Sequence, residues 1–406
     1  MNWKTIRADE FCKSVRDGTH DTPKPTETGH KLVTGKHVKN GQIDPSDAYY
    51  ISEEDYEKIN ERSLVEQWDV LMSMIGTVGE VAVVKDHPNY AIKNVALFKC
   101  GGSELKGKWL AYYLRSSDAQ GHMSGNQKGS SQQFLSLKQL RSLPIPITDE
   151  RYMQRVIDIL SAYDELIENN QKQIKLLEEA AQRLYKEWFV DLRFPGHETT
   201  PIVDGVPEGW TYKPFSEVFD YVRGKSYTSK ELSDTTGILM ANLKNIRAFG
   251  GYNRNAEKRF TGQYKANQML YAGDIVMGVT DMTQERRLVG HVALVPDLGE
   301  KMTFSMDLIK IIPKLTDNLF LYSVMYYGGL SKQISPLANG VNVLHLKPEA
   351  MMGIEMLIPT KDILERYHQQ FAPMVTRIEA LQKQCDVAAE ARDRLIPKLM
   401  SGETEI

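Results

Sequence analysis

A chain of 406 residues is longer than one hydrophobic core usually organises, so its length predicts at least two globular units. The 41% apolar and 25% charged fractions are ordinary for a water-soluble protein, and no apolar run approaches the roughly 20 residues that a membrane span needs. The net charge of −3 argues against a protein that binds DNA by bulk electrostatic attraction alone. Cys12, Cys100 and Cys385 lack metal-ligand spacing, and no signal-peptide core follows Met1, so we expect a cytoplasmic protein without metal or disulfides.

The first 147 residues have the pattern of a mixed, strand-rich domain. Short apolar runs at 70–75 and 81–84 are split by glycines and predict a pair of buried strands. Residues 91–98 predict another strand, and the polar stretch 121–133 predicts an exposed loop.

A long helix is predicted next, because apolar residues recur at heptad spacing from Val156 to Trp188. Thr148 or Asp149 is expected to cap it. A second seam of the same length, displaced by 211 positions, runs from Tyr367 to Leu399. The seam positions include Leu160, Tyr163, Ile167, Ile174 and Leu177 in the first helix, and Phe371, Met374, Ile378, Leu381 and Leu395 in the second. Each helix needs a partner to bury its seam, so we predict that the two tethered helices pair as a coiled coil.

Polar residues interrupt both seams at one position each. Asn170 and Arg392 occupy these positions, where polar residues more often fix the register of a coiled coil than serve chemistry. Pro373 is expected in the first turns of the second helix, where a proline is least costly.

The globular pattern restarts after the first helix, which indicates an internal duplication. The paired segments are Trp3 with Trp210, 68–72 with 273–277, 135–138 with 344–347, and 143–146 with 356–359. The predicted order is a domain at 1–147, a helix at 148–192, a linker at 193–209, a domain at 210–360 and a helix at 361–402. The predicted fold class is therefore α+β, with two globular mixed α/β domains in tandem, each followed by a long helix.

No constellation of catalytic residues is recognisable in the sequence. It lacks a phosphate-binding loop, a nucleophile elbow, a zinc-binding helix motif and the Asn/Asp-Pro-Pro motif of amino-methyltransferases, and its histidines do not cluster. We expect no catalytic residue, metal or cofactor, and hence binding rather than catalysis. Both domains do contain polar loops whose side chains could hydrogen-bond base edges and phosphates, although a solvated turn is the simpler interpretation of any single loop.

Several short motifs occur in a characteristic order. They are Asp17-Gly18-Thr19-His20-Asp21-Thr22-Pro23, the linker sequence Val-Pro-Glu-Gly-Trp at 206–210, an Ile-Pro junction before each helix, and the ending Leu-Ile-Pro-Lys-Leu-Met-Ser-Gly-Glu at 395–403. Together with the duplication, they resemble the specificity subunit of type I restriction–modification enzymes over essentially the whole length.

This resemblance implies two target-recognition domains, each reading one half of a bipartite, asymmetric site in double-stranded DNA. It also implies that the helices pair antiparallel and set the unread gap. Two methyltransferase subunits would dock on the chain and bring S-adenosylmethionine, and restriction subunits with ATP-driven translocation would join the complex.

We therefore predict a set of DNA-contacting residues on each domain. The first set is Arg16, Thr19, His20, Lys36, Lys39, Asn40, Gln127, Lys128, Gln132 and Gln133. The second set is Arg223, Lys225, Asn242, Lys244, Arg286, Arg287, Asn339 and Asn342. Asp17 and Gly18 are expected to shape a turn.

Two alternatives remain open. The chain could be a coiled-coil scaffold whose two domains bind proteins or glycans, which its near-neutral charge would suit. It could also serve as the recognition subunit of a different methyltransferase–nuclease arrangement.

Overall fold

The structure is a computed structural model that describes residues 3–75, 78–124 and 135–404. The chain divides into two compact units, Met1–Asn170 with Gln384–Ile406, and Gln171–Lys383. Both divisions fall inside the long helices. Each unit therefore contains one globular domain and one part of each helix.

The globular part of the first unit is built on a four-stranded antiparallel sheet. Its strands in spatial order are Ser14–Asp17, Val95–Lys99, Val70–Ser73 and Val81–Val83. Successive residues of the central strands belong alternately to two hydrophobic cores, because side chains alternate across a sheet. Met72 packs in the core around Trp109, whereas Leu71 packs in the core around Val33 and Ile92.

Smaller elements complete this unit. A three-stranded sheet contains Tyr50–Ile51, His30–Val33 and Tyr90–Ile92, and the last two strands are parallel. Two-stranded pairs join Lys4–Arg7 with Pro144–Ile147 and Val38–Lys39 with Gln42–Ile43. The helices are Ala8–Phe11, Glu53–Ser63, Glu104–Arg115, Ser117–Ser124 and Leu137–Arg141.

Two predictions for this domain need correction. The strand predicted at 91–98 is two strands, because Tyr90–Ile92 and Val95–Lys99 belong to different sheets. The chain turns between them at Asn94, whose φ of 53° is a conformation that asparagine tolerates. The predicted loop at 121–133 begins inside the helix Ser117–Ser124, and its remainder lies outside the described residues.

The second unit repeats the architecture of the first. Its four-stranded antiparallel sheet contains Phe219–Arg223, Leu308–Pro313, Ile275–Gly278 and Val292–Leu294 in the same order. Ile238–Ala241 pairs parallel with Met302–Phe304 in a second sheet, as His30–Val33 pairs with Tyr90–Ile92. The other strands of that sheet are Leu232–Ser233, Lys258–Phe260 and Met269–Leu270. The remaining elements include Thr211–Pro214 paired with Glu355–Ile358, and the helices Phe215–Val218, Asn318–Tyr327 and Ser331–Ile334. The predicted tandem duplication is thereby confirmed.

The strand pairing corrects one predicted equivalence. Lys4 is opposite Ile147 in the first unit, and Thr211 is opposite Ile358 in the second. The equivalence of 143–146 with 356–359 is therefore wrong by two residues. A slip of two residues leaves every side chain on the same face of a strand, so the apolar pattern does not reveal it.

The first long helix spans Glu150–Tyr185 and continues as a π-helical turn at Lys186–Val190. Asp149 caps it, because its Oδ1 accepts a hydrogen bond from the Tyr152 amide at 3.0 Å. The second long helix spans Lys361–Ser401. The predicted linker contains a short hairpin, Ile202–Val203 with Val206–Pro207.

The two long helices run antiparallel within each unit, as predicted. In the first unit, Tyr152 Oη donates to the Leu399 carbonyl at 3.2 Å, and Asn170 Nδ2 donates to Gln384 Oε1 at 3.2 Å. In the second unit, Arg377 Nη2 donates to Gln173 Oε1 at 3.3 Å, and the Trp188 and Tyr367 rings lie 5.8 Å apart. Every predicted seam position is buried or half-buried in this structure.

The position predicted for Pro373 is wrong. The helix begins at Lys361, so Pro373 lies in its interior rather than in its first turns. A proline there leaves the carbonyl of residue 369 without its amide donor, at a cost of about 3 kcal/mol. The prediction counted turns from the start of the seam at Tyr367, whereas the helix, predicted at 361–402, begins at Lys361. None of the helices in the described residues is long and apolar enough to span a bilayer.

Candidate nucleic-acid interface

The opening loop of the first unit lies directly against a neighbouring strand. A Cβ atom at Gly18 would overlap the carbonyl oxygen of Ile92, so only glycine allows this approach. Thr19 follows and forms a parallel bridge with Lys93. His20 Nδ1 lies 2.7 Å from Asn94 Oδ1, which fixes the imidazole at the turn between the two sheets.

Asp17 organises the charged groups of this loop. Its side chain is only 6% exposed, and its carboxylate lies 3.0 Å from His20 Nε2. Asp17 also pairs with Arg62, whose carbonyl accepts a hydrogen bond from Arg16 at 2.6 Å. Two predicted DNA-contacting residues are therefore held by a network that includes Arg62, which the sequence did not single out.

The predicted residues Lys36, Lys39 and Asn40 lie in a second segment, 34–41, which contains a buried histidine. His37 is 4% exposed, and its Nδ1 accepts a hydrogen bond from the Thr34 amide at 2.8 Å. Burial lowers the pKa of His37, although Asp47, 3.0 Å from Nε2, opposes this shift. Asp47 also pairs with Lys36 at 2.8 Å. Lys36 itself remains exposed.

Lys39 and Asn40 lie at the tip of a tight hairpin. Asn40 and Gly41 have φ values of 53° and 76°, as a two-residue hairpin turn requires. The Asn40 amide donates to Glu80 Oε2 at 3.0 Å, so the hairpin is joined to the loop that precedes Val81–Val83. Both Lys39 and Asn40 are exposed.

Lys93 connects the two loops. It bridges Thr19, and its amide donates to the Val33 carbonyl at 2.9 Å, immediately before the second loop. The structure therefore brings 16–20 and 34–41 to one edge. Gln127, Lys128, Gln132 and Gln133 lie outside the described residues. No sequence signal identified Lys93, because its position depends on the parallel pairing of distant strands.

The opening loop of the second unit has equivalent geometry. A Cβ atom at Gly224 would overlap the Ser305 carbonyl, and Lys225 forms a parallel bridge with Ser305. Arg223 donates to Glu349 at 2.8 and 2.9 Å. Hydrogen bonds from Tyr221 and Arg223 lower the pKa of Glu349 to about 2. Arg223 is thus already engaged in an ion pair at the surface.

Asn242 and Lys244 occupy one turn but face different surroundings. Asn242 is 4% exposed, and its Oδ1 accepts from the Lys244 amide at 3.0 Å. Its Nδ2 donates to Asn245 Oδ1 at 3.0 Å and to the Ala256 carbonyl at 2.6 Å. The Asn242 side chain therefore shapes the turn, while Lys244 is exposed to solvent.

Two further loops of this unit are joined to each other. Thr280 and Asp281 pair antiparallel with His345 and Leu344, and Gln284 Nε2 donates to the Val341 carbonyl at 2.7 Å. These contacts bring the predicted residues of both loops together. Asn339 and Asn342 are exposed, Arg286 is half-buried with a φ of 53°, and Arg287 is exposed beside Glu285.

Asp281 fixes the first of these loops from inside. It is fully buried and accepts hydrogen bonds from the Thr283 amide at 2.8 Å, the Leu288 amide at 2.6 Å and the Val289 amide at 3.2 Å. Burial would raise the pKa of Asp281, but these amide hydrogen bonds hold it below its ordinary value. Both arms of the loop are thus attached to one carboxylate.

The predicted residues of the second unit lie on four segments, 223–225, 242–244, 280–287 and 339–342, which meet where the strand Ile275–Gly278 ends. A Cβ atom at Gly278 would lie 2.6 Å from the Leu288 carbonyl and 3.5 Å from the Leu243 side chain. Thr280 Oγ1 donates to Asp307 at 3.1 Å, and the Met306 amide donates to the Lys225 carbonyl at 2.9 Å. We call this region the recognition edge of the second unit; its predicted members are Arg223, Lys225, Asn242, Lys244, Arg286, Arg287, Asn339 and Asn342. Within residues 3–75, 78–124 and 135–404, no group of three or more His, Cys, Asp or Glu could hold a metal ion.

Comparison with known proteins relates the chain to one family. Residues 1–179 match the family described as type I restriction modification DNA specificity domain. The specificity subunit of the type I restriction enzyme MjaIX from Methanocaldococcus jannaschii is 25% identical over 361 residues, 83% of this chain and 78% of that protein. Residues 1–179 thus carry a type I specificity domain, and the chain is similar to type I specificity subunits over most of its length. The predicted resemblance is thereby confirmed.

Other type I specificity subunits extend the similarity. The putative MjaX specificity subunit of the same organism is 20% identical across 100% of this chain and 94% of its own length. The HindI specificity subunit of Haemophilus influenzae is 21% identical across 66% of this chain and 71% of its own. The crystal structure of the S subunit of a type I restriction–modification system from M. genitalium covers 98% of this chain and 96% of its own, with a TM-score of 0.57 and 14% identity. This last similarity shows the same fold over the whole chain.

Proposed function

We propose that this chain is a type I specificity subunit that reads a bipartite, asymmetric site in double-stranded DNA, with one half-site for each unit. The observation that carries the proposal is that distant polar loops converge at equivalent edges of the two duplicated domains. In the second unit, Asp307 and the end of Ile275–Gly278 join four segments that span more than 100 residues of sequence. A DNA-reading surface needs such a set of closely placed donors and acceptors.

The residues at the two edges have different proposed roles. Exposed Lys36, Lys39 and Lys244 would contact phosphates, which position the protein but carry no sequence information. Exposed Asn339 and Asn342 would read base edges, where the loss of one good contact costs about 1–3 kcal/mol. The other members of the two predicted sets complete the surfaces, except Asn242, which is buried and shapes its own turn.

Alanine variants separate these roles. Asn342→Ala should relax the sequence preference in one half-site only, whereas Lys244→Ala should weaken binding to all sequences alike and reduce the salt dependence of the affinity. Unchanged sequence preference and affinity after both substitutions would show that this edge does not contact DNA.

We further propose that the chain itself is non-catalytic and acts with partner subunits in the cytoplasm. Two methyltransferase subunits would dock on the helices and adjoining faces, and restriction and translocase subunits would complete the assembly. Residues 148–192 carry 6 basic and 10 acidic residues, a surplus that suits a protein-binding rather than a DNA-binding surface. Leu166 and Val387, which lie off the predicted seam in the first unit, are 44% and 59% exposed and offer apolar contacts to a partner.

The direct test is to map methylated adenines in a host that expresses the chain with its methyltransferase partners. A bipartite motif with an unread gap is the expected result. A continuous motif would contradict the assignment of one half-site to each unit, and the absence of any motif that depends on this chain would favour the scaffold alternative.

The proposed role of the helices as spacers is tested by lengthening both helices at the point where they are bonded to each other. Asn170 is bonded to Gln384, so four residues inserted after Asn170 and four after Lys383 preserve the pairing on both sides. We expect a changed gap and unchanged half-sites. As a control, four residues inserted at the tip of the linker hairpin, between Asp204 and Gly205, should leave the gap unchanged. Altered half-site sequences would count against the helices as spacers.

A further inference from the structure

Two apolar side chains at the recognition edge of the second unit are strongly exposed. Met282 is 75% exposed and Val341 is 88% exposed, the two highest values for large apolar side chains within the described part of the chain. Single exposed apolar residues are ordinary on protein surfaces. Here, however, the two belong to loops that are hydrogen-bonded to each other through Gln284 and the Val341 carbonyl.

The loop that carries Met282 is held rigidly at its base. The neighbouring Asp281 is fully buried, and its carboxylate binds the amides of Thr283 and Leu288 on the two arms of the loop. The pairing of Asp281 with Leu344 fixes the second loop to the first. Because their bases are fixed, the two loops hold Met282 and Val341 in solvent instead of folding back onto the protein.

The groups around these side chains indicate what would cover them. Lys225, Lys244, Arg286 and Arg287 lie at the same edge, on segments joined to the Met282 loop or forming part of it. The nearby carboxylates are already engaged, since Asp281 binds amides and Glu285 pairs with Arg287. An apolar tip flanked by cations suits a ligand with an anionic rim and an apolar, stacked interior, which is the surface of duplex DNA.

We propose that Met282 and Val341 form an apolar wedge that enters a base step of the second half-site and unstacks it. The proposal rests on the DNA-recognition function and adds a way of reading sequence without hydrogen bonds. Inserted apolar side chains partly unstack and kink a duplex. Pyrimidine–purine steps deform more readily than others, so the wedge favours such a step at its position.

The test uses the chain assembled with its methyltransferase subunits and a duplex that contains the mapped site. The fluorescent base 2-aminopurine, which brightens when it is unstacked, replaces each position in turn except the methylated adenines. With the wild-type chain, brightening is expected at one step of one half-site. The double variant Met282→Ala/Val341→Ala is expected to abolish that brightening and to weaken binding roughly tenfold, as the loss of one base-pair preference does.

The matched control is Leu315→Ala. Leu315 is 48% exposed and lies just after the strand Leu308–Pro313. The other end of that strand, Leu308, pairs with Gly278 near the recognition edge, so Leu315 lies at the end away from that edge. This variant should retain both the brightening and the affinity. A mismatch placed at the brightened step lowers the unstacking cost that only the wild-type chain pays, so it should tighten wild-type binding more than binding of the double variant.

The outcomes separate the wedge from the function on which it rests. Tight wild-type binding without brightening at any step, or brightening that persists in the double variant, overturns the wedge and leaves DNA recognition intact. Failure of the wild-type assembly to bind the mapped duplex at all overturns the proposed function itself.

Discussion

The carboxylate of Asp164 links the globular domain of the first unit to both long helices. It accepts hydrogen bonds from Tyr112 Oη at 2.8 Å, Arg115 Nη1 at 3.3 Å and Arg392 Nη1 at 2.6 Å. Arg392 is the polar residue in the second seam, and its side chain is only 14% exposed. We predict that Asp164→Ala loosens the helix pair and weakens its attachment to the globular domain.

The expected cost follows from the burial of the groups. Removing one partner of a buried ion pair costs about 3–5 kcal/mol, whereas an exposed pair contributes about 0–1 kcal/mol. Asp164 is 27% exposed, and Arg392 keeps a second partner in Asp393 at 2.8 Å. Both facts reduce the cost, so we expect Asp164→Ala to lower the local free energy of unfolding by about 2–3 kcal/mol.

Hydrogen exchange of the full chain measures this effect locally. A loss of about 2–3 kcal/mol corresponds to roughly 30- to 160-fold faster exchange in peptides from 150–170 and 384–401. The control is Asp158→Ala on the same helix, where an exposed carboxylate accepts a hydrogen bond from Gln154, four residues earlier, at 2.8 Å. The control should change exchange by less than about threefold. Equal exchange in the two variants would refute the reasoning.

Three further predictions concern the loops of the two units. Gly18→Ala should destabilise the first unit by about 1–3 kcal/mol, because its Cβ would overlap the Ile92 carbonyl, whereas a Cβ at Gly121 meets nothing within 4 Å; equal urea midpoints for the two alanine variants would contradict this. Burial lowers the pKa of His37 below its ordinary value of 6.5, so the stability it contributes is present above pH 6.5 and is lost as the pH falls. His37→Gln should therefore show a smaller loss of thermal stability between pH 7.5 and pH 5, and an unchanged loss would exclude His37 as the cause. Hydrogen bonds hold the pKa of Asp281 below its ordinary value of 3.8, so the stability that its carboxylate contributes is lost as the pH falls. Asp281→Asn should therefore be less stable than wild type at pH 7, and the difference should shrink below pH 4. A difference in urea midpoint that stays constant with pH would contradict this assignment.

Most of the fold could be predicted from long periodic patterns in the sequence. The heptad seam recurs over ten positions in each helix, and the apolar runs that pair Val70–Ser73 with Val81–Val83 recur 205 residues or more later. Such patterns accumulate signal over many residues, so single exceptions such as Asn170 do not hide them. The prediction of one strand at 91–98 missed the break at Asn94, although the polar pair Lys93-Asn94 interrupts the apolar residues at that point.

For both predicted DNA-contacting surfaces, the loops involved were easier to predict than the individual side chains. Polar loops indicated where to look, but Arg62 and Lys93 reach the first edge only through Asp17 and through a parallel strand pair formed by distant segments. Asn242 shows the opposite case, since it has the right chemistry for reading DNA but is buried and bonded within its own turn. Burial depends on the tertiary structure, and residue type alone does not reveal it.

In these loops, some side chains anchor the loop inside the fold and others extend into solvent. Asp281 and Asn242 are buried and satisfy their polar atoms inside the fold, whereas Met282, Val341 and Lys244 extend into solvent. Substituting a buried anchor leaves unsatisfied amides and costs stability, while substituting an exposed tip removes no internal contact. Under the proposed DNA-reading function, substitutions at the loop tips would change the sequence that is read without destabilising the duplicated scaffold.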